Sequence, residues 1–328
     1  MRVLITGGAG FLGTLLARRL LAGPATIGGA APRDIAELVL LDPVAPPAEV
    51  VADPRVRPVT AELGAGLPTV GAVDAVFHLA GVVSGQAEAD FDLGLRTNLD
   101  GTRTVLEWAR AHRVPPVLVF TSSLAVFGRD PAFAPVDIVD DHTLPRPQSS
   151  YGFGKFIGEQ LVADYTRRGY LRGRSVRLMT VAVRPGRPNA AASGFLSSIV
   201  REPVRGVPAV CPVAPDLPVA LSSPGRTIEG ILAAAAATDE RWGSTTAMTL
   251  PGLSTTPREM AAALDRVAGP GTSTLISWTP DPAVIAIVGS WPARFRTDRA
   301  AALGLAPNAD FDEVVREFLA TGAGAGNA

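Results

Sequence analysis

Tyr151 and Lys155 stand four residues apart in a segment whose apolar periodicity predicts a helix over residues 151–168. Positions i and i+4 lie on one face of a helix, so the phenol and the ammonium can reach the same pocket. A free phenol has a pKa of about 10, and a neighbouring positive charge favours the phenolate and makes it a usable base near neutral pH. Lys155 is the sole lysine among 30 basic residues, and a compact ammonium does what a planar guanidinium cannot. The pair therefore predicts removal of a proton from a substrate hydroxyl.

Three hydroxyl residues, Thr121, Ser122 and Ser123, follow the apolar strand predicted at 117–121. A hydroxyl at this strand end can hold a reacting oxygen and share its proton with a tyrosine. Serines at strand ends more often satisfy the backbone of a turn. The catalytic interpretation of this segment therefore depends on the tyrosine and lysine that follow it.

A glycine motif, Gly7-x-x-Gly10-x-x-Gly13, lies between a predicted buried strand (2–6) and a predicted helix (12–21). The first glycine permits the tight turn, the second lets the backbone approach a pyrophosphate, and the third lets helix and strand pack closely. The helix N-terminus then offers free N–H groups to the phosphates. A glycine-rich turn without a ligand is the alternative, but the strand–turn–helix context favours dinucleotide binding.

Asp42 directly follows the second predicted strand, 38–41. A carboxylate there accepts hydrogen bonds from the adenosine ribose and repels a 2′-phosphate. Pro43, Val44 and Ala45 follow it, so no nearby cation is available for such a phosphate. NAD is therefore predicted rather than NADP, unless Asp42 is only a strand-ending loop aspartate.

The elements that must position these residues alternate between strands and helices, which predicts an α/β fold with a Rossmann-type, doubly wound parallel sheet. The further predicted strands are 55–60, 73–78 and 176–183, and the further predicted helices are 91–112, 257–268 and 310–319. Beyond residue 185 the pattern becomes irregular and rich in proline. We therefore predict an NAD-binding Rossmann domain over 1–185, with the catalytic residues. Residues 186–328 are predicted to form mainly a smaller substrate lobe, interleaved with the sheet.

The bulk composition excludes several classes of protein. The chain has 328 residues, 47% of them hydrophobic, and a net charge of −1, so no overall field attracts nucleic acid or an anionic membrane. No apolar run approaches the roughly 20 residues that span a bilayer. Cys211 is the only cysteine, which predicts a reducing compartment, the cytoplasm. No metal ligands are predicted.

The motifs together resemble a known family. The segments at 6–13 (TGGAGFLG), 78–81 (HLAG), 98–102 (NLDGT), 122–123 (SS) and 151–155 (YGFGK) occur in the order seen in extended short-chain dehydrogenases/reductases, the NAD-dependent epimerase/dehydratase family. The resemblance implies an NAD-binding domain, a C-terminal lobe over the substrate, and Ser123 as the catalytic serine beside Tyr151 and Lys155. The cofactor residues expected from the motifs and the resemblance are Gly7, Gly10, Phe11, Leu12, Gly13, Asp42, Glu62, Leu63, Leu79, Ala80, Gly81, Asn98, Thr121, Tyr151 and Lys155.

Departures from the family pattern narrow the expected activity. The Thr-Asp-Glu segment of sugar-nucleotide dehydratases is absent, and the segments at 184–195, 201–203 and 221–229 resemble a subgroup that oxidises the C2 hydroxyl of a four-carbon sugar acid with NAD. A small carboxylate substrate needs a cation or clustered donors to fix it. The expected substrate residues are Ser84, Ser123, Tyr151, Arg184, Arg187, Ser193 and Arg226. The arginines could instead pair with surface acids or bind a nucleoside diphosphate.

Two other functions compete with the dehydrogenase. A nucleoside-diphosphate-sugar epimerase would use the same residues, hold NAD tightly and release no net NADH. A non-catalytic dinucleotide sensor or scaffold is disfavoured by the tyrosine–lysine pair, which such relatives tend to lose. By analogy with the family, the helices predicted at 91–112 and 151–168 are expected to form a homodimer.

Overall fold

The computed structural model describes residues 1–134, 136–186 and 191–322. Its strands are β1 (Arg2–Thr6), β2 (Glu37–Asp42), β3 (Val56–Thr60), β4 (Ala75–His78), β5 (Val117–Ser123), β6 (Arg172–Leu178), β7 (Thr180–Val181), β8 (Ala209–Cys211), β9 (Val219–Ser222), β10 (Met248–Thr249), β11 (Leu253–Thr255) and β12 (Ile276–Trp278). Its α-helices are α1 (Phe11–Leu21), α2 (Ala48–Val51), α3 (Leu63–Gly66), α4 (Ser84–Ala89), α5 (Phe91–Gly94), α6 (Gly101–Arg110), α7 (Ser150–Arg167), α8 (Phe195–Val204), α9 (Pro224–Ala236), α10 (Asp239–Trp242), α11 (Pro257–Ala268), α12 (Pro282–Val288), α13 (Asp298–Ala302) and α14 (Phe311–Ala320).

Seven strands form one parallel sheet in the order β10-β6-β5-β4-β1-β2-β3. Its central strands are nearly continuous apolar runs because helices cover both faces. The strand order reverses at β1, which has β4 on one side and β2 on the other. Open α/β sheets bind ligands outside the carboxyl ends of their strands at such a point. The predicted doubly wound α/β fold is confirmed.

Two hydrophobic cores hold this sheet between its helices. On one face Leu16 and Leu20 of α1 pack with Ile228 and Ile231 of α9 against the strands. On the other face, side chains from α6 and α7 such as Val105 and Val162 pack with residues of β2, β4 and β5. Because these cores fix α1 and α7 on opposite faces, the glycine turn and the tyrosine–lysine helix both reach the carboxyl edge of the sheet.

The later part of the chain builds a second lobe and also returns to the main sheet. Its core joins α8, α11 and α14 with β8, β9 and β12. Two small sheets, β11-β9-β7 and β12-β8, stand beside the main one. Helix α9 nevertheless packs on the main sheet, and strand β10 joins that sheet, where Met248 pairs with Val176. Residues on both sides of position 185 therefore contribute to the main sheet and its core.

Two predicted elements differ from the structure. The single helix expected over 91–112 consists of three pieces: α5, a π-helical segment at Leu95–Asp100, and α6. In the π-helical segment, the side-chain amide of Asn98 hydrogen-bonds to the backbone N–H and C=O of Val82. The strand expected at 176–183 begins earlier, at Arg172. Its arginines make the first residues look polar in the sequence, but Arg174 and Arg177 are buried and paired with Asp239 and Glu159. In the described part of the chain no helix has the length and apolarity needed to cross a membrane.

Candidate active site

A cleft of about 300 Å³ opens at the carboxyl ends of β1, β4 and β5. It brings together most of the residues singled out from the sequence, although these come from segments far apart in the chain. The predicted residues that line it are Gly7, Gly10, Phe11, Leu12, Gly13, Leu79, Gly81, Ser84, Thr121, Ser123, Tyr151, Lys155, Arg184 and Ser193.

The glycine turn forms one wall of this cleft. Gly7 adopts a φ of 71°, a left-handed conformation that favours glycine. A Cβ at Gly13 would lie 2.1 Å from the carbonyl oxygen of Gly7, so no other residue fits between the turn and α1. Helix α1 begins at Phe11 without a side-chain cap from the described residues, which leaves its first N–H groups facing the cleft. This uncapped, close-packed N-terminus fits the pyrophosphate of a dinucleotide.

Asp42 lies at the end of β2 and is tied to the same turn. Its Oδ2 accepts a hydrogen bond from the amide of Ala9 at 3.2 Å, and its Oδ1 accepts one from the amide of Val44 at 2.9 Å. The carboxylate therefore sits beside the glycine turn. Glu62 and Leu63 follow the neighbouring strand β3, at the same edge of the sheet.

The segment after β4 is packed tightly against the lysine. A Cβ at Gly81 would lie 2.9 Å from the Asn98 Oδ1 and 3.5 Å from the Lys155 Nζ. Asn98 does not line the cleft; its amide holds Val82 instead. Ala80 packs against Gly7 from behind, where a Cβ on Gly7 would approach the Ala80 nitrogen to 2.8 Å. Asn98 and Ala80 therefore shape the cleft wall from outside it.

His78 of the same segment is a structural residue. Its Nδ1 lies 2.7 Å from the Thr6 hydroxyl, and its Nε2 lies 3.0 Å from the Thr102 hydroxyl. Burial, with the nearby Lys155 charge, lowers the pKa of His78 to about 3. The imidazole is therefore neutral at working pH and cross-links β1, β4 and α6.

Helix α7 carries the tyrosine and the lysine toward the cleft. The Ser149 hydroxyl caps the helix by accepting a hydrogen bond from the Gly152 amide at 3.1 Å. Lys155 is 4% exposed, and its Nζ donates to the Thr121 carbonyl at 2.8 Å and lies 5.8 Å from the centre of the Tyr151 ring. The i,i+4 pair therefore faces one pocket, as the spacing requires.

Burial shifts the titration of both groups. It lowers the pKa of Lys155 to about 8, although the nearby Glu159 carboxylate opposes this shift. It raises the pKa of Tyr151, while the Ser123 hydroxyl and the Arg184 charge act in the opposite direction. Ser123 is otherwise engaged through its Oγ, which accepts a hydrogen bond from the Ala125 amide at 3.1 Å. The phenol therefore stands between a hydroxyl and two cations in a partly enclosed cleft.

Arg184 faces the tyrosine from the other side of the cleft. Its Nε donates to the Val181 carbonyl at 3.1 Å, and no carboxylate of the described residues pairs with its guanidinium. Ser84 and Ser193 are buried in the same wall, and the Ser84 Oγ accepts a hydrogen bond from the Ala192 amide at 3.3 Å. A half-buried, unpaired guanidinium among hydroxyls is suited to bind a small carboxylate.

The structure does not bring Arg226 to the cleft. This side chain lies at the start of α9, where its guanidinium pairs with Glu229 at 3.1 Å and Glu313 at 3.5 Å. The expectation that Arg226 contacts the substrate is therefore corrected, since surface acids already occupy its donors. Arg187, also expected to contact the substrate, lies outside the described residues.

Several residues of the cleft were not expected from the sequence. Leu124, Met179 and Thr180 line it because they follow β5 and β6 at the carboxyl edge of the sheet, a position that could have indicated them. Trp291 comes from the second lobe, and no spacing or motif points to it. Only the packing of the lobe against the sheet brings this indole to the cleft.

Residues 3–214 match the model of the NAD-dependent epimerase/dehydratase family, so the chain belongs to this family. The predictions of the family, of an oxidoreductase of the extended short-chain type and of NAD as its cofactor are confirmed.

The chain is 50% identical to the D-erythronate dehydrogenase of Cupriavidus necator over 324 residues, which cover 97% of this chain and 98% of that protein. It is 40% identical to the D-erythronate dehydrogenase of Haemophilus influenzae, over 97% of this chain and 99% of the relative. Among solved structures it resembles the nucleoside-diphosphate-sugar epimerase from Agrobacterium tumefaciens, with a TM-score of 0.88, 36% identity, and coverage of 99% of this chain and 95% of that one.

Proposed function

We propose that this protein is a dehydrogenase that oxidises the C2 hydroxyl of D-erythronate, or of a closely similar small sugar acid, to the 2-oxo acid with NAD. The observation that carries the proposal is the unpaired Arg184 guanidinium, which shares the cleft with Tyr151 and Ser123. A four-carbon acid is short enough for one cation to hold its carboxylate while a base reaches the adjacent hydroxyl. The two D-erythronate dehydrogenases similar over nearly the whole chain support this substrate.

In the proposed reaction Tyr151, as phenolate, removes the proton of the C2 hydroxyl. The Ser123 hydroxyl donates a hydrogen bond to the same oxygen and so fixes its position. Lys155 provides the positive charge that favours the phenolate. The glycine turn and Lys155 would hold NAD in the cleft, where it would supply the acceptor for the hydride of C2. The substrate thus loses one proton to Tyr151 and two electrons with the hydride, which balances its conversion to the ketone.

The proposed cofactor contacts follow from the walls of the cleft. The free N–H groups at the start of α1 bind the pyrophosphate, and Asp42 beside the glycine turn accepts hydrogen bonds from the adenosine ribose. Glu62 and Leu63, after β3, lie on the adenine side. Thr121, Leu79 and Gly81 border the space between the pyrophosphate and the lysine.

A nucleoside-diphosphate-sugar epimerase is the second candidate, favoured by the solved structure that bears that name. Such a substrate needs a long channel beyond the reacting sugar. In the described part of the chain, Trp291 and the residues behind it leave a void of about 10 Å³ between the cleft and the next cavity, hardly the space of one water molecule. The small space behind the indole therefore favours the smaller substrate.

We also propose that the protein is a cytoplasmic homodimer. The single cysteine, Cys211, is buried and unpaired, in keeping with a reducing compartment. Helices α5 and α7 expose Phe91 (59%) and Phe153 (54%), large apolar side chains that a second copy could cover.

The direct experiment follows NADH by its near-ultraviolet absorbance, with purified protein, NAD and a panel headed by D-erythronate. We expect one NADH for each molecule of acid oxidised, and a much weaker signal with NADP. Nucleotide sugars that are converted without net NADH, by protein purified with stoichiometric NAD, would establish the epimerase instead. Asp42→Ser provides the matched variant for cofactor choice: it should narrow the preference for NAD over NADP while leaving the choice of sugar acid unchanged.

A further inference from the structure

Trp291 separates the active-site cleft from a second, larger cavity. The outer cavity, of about 360 Å³, lies between the segments at 127–134 and 136–146 and the chain at 289–294. Among the described residues, Trp291 is the only one that lines both the cleft and this outer cavity. It also lines the small void between them. The indole is therefore part of the wall between the cleft and the outer cavity.

The indole is held in this place by both lobes. The backbone amide of Trp291 donates to the Val288 carbonyl at 3.2 Å, just beyond the end of α12. Its ring packs on a small apolar cluster of Leu124, Met179 and Ala220, which come from the sheet side and from β9. Leu124 directly follows Ser123, so the indole packs on the residue next to the proposed catalytic serine and lines the same cleft.

We propose that Trp291 sets the maximum chain length of the sugar acid. This inference rests on the proposed function. With the carboxylate at Arg184 and C2 between Ser123 and Tyr151, the remaining carbons extend along the cleft until they meet the indole. A four-carbon acid ends before this wall, and a longer acid would have to pass through it.

The outer cavity makes the proposal testable. The indole lines the cleft, the void and the outer cavity, so its removal should open the cleft toward the outer cavity. The walls of the outer cavity carry polar side chains, including Asp130, Thr143 and Arg146, which suit the hydroxyls of a longer polyol chain. Substitution of Trp291 should therefore admit longer acids.

The experiment compares D-erythronate, D-ribonate and D-allonate, which share the configuration at C2 and C3 and differ in the carbons beyond. In Trp291→Ala, kcat/KM for D-ribonate relative to D-erythronate should rise by about tenfold or more, the scale on which a pocket discriminates one carbon. The same ratio should rise less in Trp291→Leu and least in Trp291→Phe. Trp278→Ala removes an exposed indole of the same lobe and should leave the ratio unchanged.

The outcomes separate the two proposals. Wild-type protein that does not oxidise D-erythronate would overturn the proposed function. Wild-type protein that does, combined with an unchanged D-ribonate to D-erythronate ratio in Trp291→Ala, would overturn the role of Trp291. If the alanine variant does not fold, the graded leucine and phenylalanine variants decide in the same way, with an unchanged ratio counting against the proposal.

Discussion

The guanidinium of Arg177 donates two hydrogen bonds to the carboxylate of Glu159, from Nε to Oε1 at 2.9 Å and from Nη2 to Oε2 at 2.7 Å. The side chains are only 7% and 1% exposed. The Ser122 hydroxyl donates to the same carboxylate at 2.5 Å, so the pair joins β5, β6 and α7. Glu159 lies one helical turn beyond Lys155, which puts this ion pair directly behind the proposed catalytic site.

Breaking this ion pair should destabilise the fold strongly. Arg177→Met leaves the Glu159 carboxylate buried without its cation, a loss that costs about 3–5 kcal/mol. Urea unfolding followed by circular dichroism measures the change in free energy. The control is Arg258→Met, whose partner Asp216 is exposed, and for which about 0–1 kcal/mol is expected. Equal effects of the two substitutions would contradict the buried character of the Arg177 pair.

Removal of the proposed base should abolish most of the activity. Tyr151→Phe keeps the ring and loses only the hydroxyl, so kcat should fall by about 10²–10⁴, the contribution of general base catalysis. Tyr170→Phe is the matched control, because this tyrosine packs against Tyr165 away from the cleft. NAD binding, followed by calorimetry, should survive in both variants. Near-normal turnover of Tyr151→Phe would refute the mechanism.

The pH profile should report the groups around the phenol. Burial raises the pKa of Tyr151, and the Ser123 hydroxyl and the Arg184 charge lower it. A base works only when deprotonated, so kcat/KM should decline as pH falls through this pKa. Ser123→Ala and Arg184→Gln each remove a lowering influence and should move the decline to higher pH.

The control for this profile is Arg226→Gln, since that guanidinium is paired with Glu229 outside the cleft. Its profile should coincide with that of the wild type. A shift of the Ser123→Ala profile to lower pH would mean that another group titrates in the observed range.

The glycine turn allows a sharp test of cofactor binding. Gly13→Ala would place a Cβ 2.1 Å from the Gly7 carbonyl oxygen, so the turn and α1 must move apart. NAD affinity, measured by calorimetry, should fall strongly. Gly23→Ala is the matched control, because no atom lies within 4 Å of the added Cβ. Retained affinity in Gly13→Ala would exclude this turn as the pyrophosphate site.

The proposed dimer can be tested with charge at its expected centre. Phe153→Glu places a carboxylate on the exposed face of α7 and should give a monomer in sedimentation velocity. Phe133→Glu alters an equally exposed phenylalanine (53%) on the segment before α7 and should leave the dimer intact. A wild-type monomer would rule out the dimer at once.

The sequence predicts those features that depend on local order along the chain. The strand–turn–helix at Gly7, the pair Tyr151 and Lys155, and the carboxyl-end position of Ser123 all follow from spacing and periodicity. Each of these residues lies on, or directly beside, a strand or helix that can be recognised from its own sequence without knowledge of tertiary contacts.

Other features depend on contacts that spacing does not encode. The helix is irregular at Asn98, whose side-chain amide bonds to Val82, but the apolar periodicity of the sequence carries no sign of that contact. Arg226 looks equivalent to Arg184 until the fold places Glu229 and Glu313 beside it. Trp291 reaches the cleft only because the second lobe packs on the first.

Lys155 has one more consequence, for the chemistry that can be done on this protein from outside. The sole lysine of the chain is 4% exposed, so the outer surface of the folded protein presents no ε-amino group. Apart from the amino terminus, an acylating reagent finds its only primary amine inside the cleft. Acylation of Lys155, distinguished from that of the amino terminus by mass mapping of peptides, would then probe the cleft and be slowed by whatever occupies it. Amine coupling to a solid support would likewise attach the folded molecule through its amino terminus, in one orientation and with the cleft left free.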